Sequence, residues 1–274
     1  EADPSDPSKA SLPNNTVDEI NTLMIGDLQT AASLLPKRSE YSSANIGHAT
    51  KGAAQALLGK VYLYAKNYPL AETYLDSVIV SGEYQLVPSF GDLLVTDNNA
   101  ESIFEIQYAD ITGQGSDRIE NDYPQGQGGF SNLLPTQQLV DAFESSTASA
   151  AINGKDPRLF YSVFQDGDPY DAASPVFKKS WTPTGYARKK GSFPVVRTSN
   201  ANLGRDFPII RLADVLLMYA EAANENGHAP EAIYAINKVR ARVGMDELPT
   251  TQFPTGTKDE IFAAIVHERT VELA

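Results

Sequence analysis

His267 and Glu268 begin like a zinc-protease helix, in which two His at i and i+4 hold the metal and the Glu between them activates water. Val271 stands where the second His must be, so no metal pair forms on that face. Gly113-Gln114-Gly115 and Gly126-Gln127-Gly128-Gly129 are glycine-rich, yet neither is followed by the Lys-Ser or Lys-Thr that grips phosphate; they read as turns. No Gly-x-Ser-x-Gly elbow presents a nucleophile. Asp166, Asp168 and Asp171 depart from EF-hand spacing with Pro169 between them, which favours a solvated turn over a calcium loop. His48 and His228 are isolated near helix boundaries, where they cap or face solvent. With no Cys in the chain, thiolate metal sites, Cys nucleophiles and disulfide scaffolds drop out together, and no cofactor or metal is expected. The enzyme chemistry left standing is a carboxylate pair flanking a glycosidic bond, for which 35 acidic residues are ample in number. No pair is singled out by context: Glu101, Glu105, Glu221, Glu268 and Glu272 fall inside scaffold motifs, where helix pairing and solvation account for them.

Binding chemistry is better supplied. Between Ala109 and Asp206 helical periodicity fails and the composition turns to Gly, Pro, Asp and Ser, but the rings of Tyr123, Phe130, Phe160, Tyr161, Phe164, Tyr170, Phe177, Trp181 and Tyr186 remain. Long connections of this kind are functional or disordered, and so many aromatics argue for order. The segment Asp117-Arg118-Ile119-Glu120-Asn121-Asp122-Tyr123 mixes a ring with charged and amide groups, while Trp181 and Tyr186 stand between turn residues. Loops on a rigid scaffold suit ligand recognition. The competing reading of Trp181 is a plug for a small satellite core. Tyr62, Tyr64, Tyr74, Tyr219 and Tyr234 sit at helical spacing and read as packing residues.

Bulk properties narrow the partners. A net charge of -13 repels nucleic-acid phosphates and anionic membrane surfaces alike. No apolar run approaches the ~20 residues that span a bilayer. A length of 274 residues suits one large domain or two modest ones.

The elements that position these loops are helices. Thr16-Val17-Asp18-Glu19 is a capping box, after which Ile20, Leu23, Met24, Leu28, Ala31 and Leu35 share a face until Pro36. From Thr50 to Gly82 the spacing is that of a tetratricopeptide unit: Leu58-Gly59, Tyr62, Tyr68 and Ala71, with Asn67-Tyr68-Pro69 as the turn. Gly59 and Ala71 are small where two antiparallel helices must approach, and Tyr62, Leu75 and Val78 fill the space beside them. A weaker copy runs from Arg211 to Gly244 through Leu216, Tyr219, Ala220, Ala223, Gly227, Ala232, Ile236 and Val239. Two units are too few for a stable stack, so the opening and final helices supply the missing neighbours. The final helix starts at the capping box Thr257-Lys258-Asp259-Glu260, turns Ile261, Ala264, Ile265 and Glu268 to one side, and reaches Ala274 without a stop signal, as in a fragment. Thr136 to Phe143 predicts a short helix within the loops. The expectation is a mainly α fold: a linker at 1–15, helical scaffold at 16–108, a loop-rich ligand-binding subdomain at 109–206, and scaffold again at 207–274.

Several of these pieces together resemble the SusD/RagB family. They are Asp27-Leu28-Gln29-Thr30-Ala31 with Leu35-Pro36, Thr50 to Leu58, Ser81-Gly82-Glu83-Tyr84-Gln85-Leu86, Glu101 to Gln107, Arg211 to Ala222, Ile236-Asn237-Lys238-Val239-Arg240, and His267 to Ala274. Their order across nearly the whole chain carries the resemblance. It implies tetratricopeptide-like helix pairs capped by an irregular ligand-binding subdomain, and no catalysis. It also implies a surface lipoprotein of a Gram-negative outer membrane that captures oligosaccharide or polysaccharide, or peptide in some branches, and hands it to a SusC-like TonB-dependent transporter. The lipid-bearing Cys, an N-terminal segment and a tail past the last helix, all present in similar proteins, fall outside this sequence. On this resemblance Asp117, Arg118, Asn121, Tyr123, Trp181 and Tyr186 are the expected glycan contacts: rings for the C–H faces of pyranoses, polar groups for paired hydroxyls. A cytosolic tetratricopeptide adaptor is the remaining alternative, and the long aromatic loop region counts against it.

Overall fold

The computed structural model describes residues 14–93, 95–109, 111, 114–115, 123–171, 174–191 and 204–274. Its elements in chain order begin with α1 (Val17–Leu34), α2 (Lys51–Tyr64), α3 (Tyr68–Ile79) and β1 (Ser102–Ile106). The loop-rich part contains α4 (Gln137–Ala142), α5 (Pro157–Ser162), β2 (Val163–Phe164) and β3 (Ala187–Arg188). The chain closes with β4 (Phe207–Arg211), α6 (Leu212–Glu225), α7 (Ala229–Arg242) and α8 (Lys258–Leu273).

Both expected capping boxes form: Thr16 and Thr257 accept the N–H groups of Glu19 and Glu260, whose carboxylates take the cap N–H in return. In the first helix pair, a Cβ at Gly59 would lie 2.6 Å from Leu75 Cγ, so only glycine lets α2 and α3 approach this closely. Tyr62 stacks on Tyr74 beside that seam, ring centroids 5.6 Å apart. The second pair, α6 and α7, is hinged at Gly227, and His228 and Asn226 at this turn reach back to Glu72 on α3. The helices stack in the order α1, α2, α3, α6, and α6 also packs on α7 and α8. One core runs through the stack, with Leu58, Leu75, Leu217, Ile236, Ile261 and Ile265 buried. Among the described residues no helix is long and apolar enough to cross a membrane.

Two helical expectations differ from the structure. α1 lays Ile25, Leu28 and Ala32 on the core, leaving Ile20, Leu23 and Met24 exposed, because among the described residues its main helical partner is α2, which covers a narrow seam. Tyr64 and Tyr234 are exposed instead of packed. Each stands two positions from a buried residue, Tyr62 and Ile236, and two steps along a helix carry a side chain to the far face.

β1 and β4 pair antiparallel, Ser102 opposite Arg211 and Ile106 opposite Phe207, so the loop-rich segment leaves and re-enters the stack at one place. Asp206 tightens this neck: its Oδ1 accepts the Tyr108 N–H at 2.7 Å and its Oδ2 accepts Asn98 Nδ2 at 3.2 Å. Burial, with Asp97 and Glu105 nearby, raises its carboxyl to about 6 against the pull of the Tyr108 hydrogen bond.

The loops and the stack are joined by a buried ion network. Glu272 on α8 accepts Arg211 Nη1 and Arg242 Nη2, each at 2.5 Å, and Arg158 Nη1 at 3.1 Å. Glu268, one turn earlier, takes Arg158 Nη1 at 2.5 Å and Arg240 Nη1 at 3.1 Å. Arg158 also forks onto Asp156, Arg240 onto Glu144, and Glu101 binds both Arg211 and Arg242. Lys190 donates to the Glu272 carbonyl at 2.6 Å. The spacing of Glu101, Glu268 and Glu272 had suggested solvation or pairing within a helix; instead 1 % or less of each side chain meets solvent and their partners lie on other elements. Burial pushes Glu272 up, but Arg211, Arg242, Arg158 and Lys190 outweigh it and hold the carboxyl far below its ordinary range. Burial likewise acts on Glu144, where hydrogen bonds from His267 and Arg240 prevail and bring it to about 2. Lys190 is driven the other way: burial, with Arg211 beside it, lowers its ammonium well below the usual lysine range despite Glu272.

Three outcomes are expected. Gly59→Val should destabilise the fold by about 2 kcal/mol or more through overpacking against Leu75, read from urea unfolding. Glu272→Gln should cost about 3–5 kcal/mol, because it strands buried arginines without their carboxylate. Depressed carboxylates stabilise above their unfolded value and lose that contribution as protons bind in the folded state. The unfolding midpoint should thus fall as pH drops from 4.5 toward 2, the interval between the ordinary and folded values of Glu144.

Candidate functional site

The surface that the loops present rests on two small cores. In the first, Phe164 on β2 stacks on Phe177 at 5.7 Å, and Tyr170 and Ala187 complete it. Trp181 closes its edge, meeting Tyr170 at 5.3 Å and Phe177 at 5.5 Å, both edge to face. The indole is thus a partial plug of this core and stays half-buried. In the second core Val140, Phe143, Leu159 and Val163 pack on Val271 of α8, with Tyr186 at the margin.

The expected turn at Asp166, Asp168 and Asp171 is open to solvent at Asp166 and Pro169 and is also held by hydrogen bonds. Asp166 accepts the Lys179 N–H, Asp168 the Gln165 N–H, and Asp171 the Ser174 N–H, so each carboxylate serves a different stretch of backbone. Among the described residues no group of three or more His, Asp or Glu is arranged to hold a metal ion. Lys189 reaches this turn from beneath, its Nζ 3.4 Å from Asp168 and 3.7 Å from the Phe160 ring centre. Burial lowers its ammonium against the pull of Asp168.

Of the six candidate contacts, Tyr123, Trp181 and Tyr186 are described; Asp117, Arg118 and Asn121 lie outside the described residues. Trp181 and Tyr186 bracket one turn, closed by Thr182 Oγ1 donating to the Tyr186 carbonyl at 2.8 Å and Gly185 N–H donating to Thr182 O at 3.2 Å. The Tyr186 hydroxyl donates to Gln137 Oε1 on α4 at 2.7 Å, which sets its ring. Tyr123 begins a second turn, whose Gly126 lies against Trp181, so this turn meets the Trp181 edge of the first. All three residues are half-buried.

A feature that sequence reasoning missed lies away from these rings. A cavity of about 770 Å³ opens beside β1, lined by Arg38, Tyr41, His48, Glu83, Asn98 and Glu105 among others. Its lining comes from segments far apart in sequence and shares no residue-type pattern that would have marked it. Its polar groups are largely engaged with one another: Arg38 donates to the carbonyls of Asn98 and Ser102, and Glu83 accepts from Ser39. His48 meets Tyr41 edge to face.

A SusD-like protein of Formosa agariphila is 26% identical over 96% of this chain and 56% of its own length. A solved SusD superfamily protein from Bacteroides vulgatus superposes with a TM-score of 0.79 at 31% identity, over 94% of this chain and 55% of that one. A laminarin-binding SusD-like protein superposes at 0.75 with 25% identity, over 98% of this chain and 61% of that one. The chain spans about half the length of the relatives it matches. The SusD family model matches residues 100–274, taking in the loop-rich segment, the second helix pair and α8, and on that match the chain belongs to the SusD family.

Proposed function

We propose that this chain binds oligosaccharide or polysaccharide on its loop-rich segment, 109–206, and does so without cleaving it. The observation that carries the reading is the set of three partly exposed rings, Tyr123, Trp181 and Tyr186, seated on hydrogen-bonded turns of the loop-rich segment. A ring held in this way meets the C–H face of a pyranose without losing rotamer freedom on binding. Asp117, Arg118 and Asn121 supply charged and amide partners for sugar hydroxyls. Support also comes from the laminarin-binding relative, which shares the fold over nearly all of this chain. Helices 16–108 and 207–274 act as the scaffold in this division of labour.

Acid–base hydrolysis is disfavoured by the electrostatics of the buried acids. Glu101, Glu144, Glu268 and Glu272 are each engaged by arginine, which commits these four carboxylates to structure. In the cell, the proposal places the protein as a lipid-anchored component of a Gram-negative outer membrane that passes captured glycan to a SusC-like TonB-dependent transporter.

Isothermal titration of the mature protein carrying this chain, against laminarin and a panel of soluble polysaccharides, tests the reading. Binding is expected without new reducing ends on prolonged incubation. Trp181→Ala and Tyr123→Ala should each weaken it by roughly five-fold or more, in line with truncation of an interfacial aromatic by ~1 kcal/mol. Release of reducing ends, or unchanged affinity in both variants, counts against it.

A further inference from the structure

We infer that Phe130 is a further ligand-contacting ring of this surface, and that Trp181 and Tyr123 also serve to mould the turn that projects it; the inference rests on the glycan reading above. Phe130 is 65% exposed, whereas the other phenylalanines flanking the aromatic core are enclosed, Phe164 at 1% and Phe177 at 0%. Exposing a whole phenyl ring sacrifices its burial, so the surrounding chain must hold it there.

The Tyr123–Ser131 turn is built to do so. Its ends are tied by the Ser131 N–H donating to the Tyr123 carbonyl at 3.0 Å and the Gln125 N–H donating to Ser131 Oγ at 2.9 Å. Inside them the Gly129 N–H donates to Pro124 O at 3.2 Å. A Cβ at Gly126 would come 2.6 Å from Trp181 Cδ1, and one at Gly129 would overlap the Tyr123 backbone. The turn is therefore pressed onto two of the proposed contact residues, and Ser174 Oγ fastens it to the neighbouring turn through Gln127 Oε1 at 3.0 Å. Ser131, directly after the ring, has φ +53°, a left-handed conformation uncommon for a side chain other than Gly. Strain of this sort persists where the surroundings over-determine it and gathers at ligand-contacting loops.

The chemistry around the ring selects the occupant. Phe130 is flanked in the chain by Gly128, Gly129, Ser131 and Asn132, and the exposed Leu133 follows; two apolar side chains on so polar a turn are few for a contiguous protein interface. An exposed ring on a turn that also carries the exposed amide of Gln125 fits a pyranose: C–H face on the phenyl, hydroxyls on the amide.

The test is isothermal titration of the mature protein and two variants, Phe130→Ala and Phe130→Trp, against laminarin and the same polysaccharide panel. The ring is exposed, so both variants should keep the wild-type thermal midpoint. The expected result is a loss of about ten-fold or more for Phe130→Ala, with Phe130→Trp close to wild type. If the wild type binds and Phe130→Ala stays within about two-fold of it, the role of Phe130 is overturned while the glycan reading stands. If the wild type binds no polysaccharide, the glycan reading itself falls and this inference with it.

Discussion

Glu272 meets three arginines in a place that water does not reach, and the arrangement of the rest of the molecule follows from where those arginines come from. Arg211 ends β4, Arg242 ends α7, and Arg158 lies on α5 inside the loop-rich segment. Burying a carboxylate costs several kcal/mol after relaxation, and that cost is offset only when the partners have good geometry and the remaining lone pairs are filled. Here both oxygens are occupied, and Glu268 and Glu101 extend the same pattern to Arg240 and back to Arg211. A network of this kind is weak evidence for extra stability, since well-packed apolar residues of the same volume do as well. What it supplies is direction. Guanidinium forks accept few alternative geometries, so they set the register of loops against helices where an apolar contact would tolerate sliding.

The consequence for binding runs through two adjacent lysines. Lys189 lies under the aromatic core at Phe160 and Asp168, while Lys190 turns into the ion network beneath Glu272. The segment that carries Tyr186 and strand β3 is thereby held by rings at Lys189 and by charges at Lys190. Preorganised rings of this type lose little entropy when a ligand arrives, which lets a shallow surface bind without enclosing its guest.

Much of the scaffold could be read from residue spacing because its determinants are local. Capping boxes lie within one turn, and Gly59, Ala71 and Tyr62 follow a repeat that two helices impose on each other. The opening and final helices did supply the neighbours that two repeats lack. The ion network was not legible: its partners are separated by up to 114 positions, and a Glu at a buried helical site has the same letter as one in water. Glu268 was placed on the inward face of its helix by periodicity, yet its partner Arg158 sits in a segment without period. The candidate rings were picked out by composition alone. That route picked out Trp181 and Tyr186, which bracket one turn, and left open whether Trp181 serves a small core; it closes the edge of one while staying half-buried. It did not single out Phe130, because nothing local separates an exposed phenylalanine from a packed one.

The pairing of β1 with β4 brings the two ends of the loop-rich segment together on the helical stack. A segment clamped at its base in this way is nearly autonomous in evolution, since the entropy of closing a loop grows only with the logarithm of its length. Insertions, deletions and wholesale exchange of its outer turns leave the helices undisturbed, provided that Glu144, Asp156, Arg158 and Lys190 return to their counter-charges. On the proposed reading, the architecture separates a recognition segment from the few ion pairs that seat it, so changes to its outer turns would alter ligand contacts without disturbing the frame.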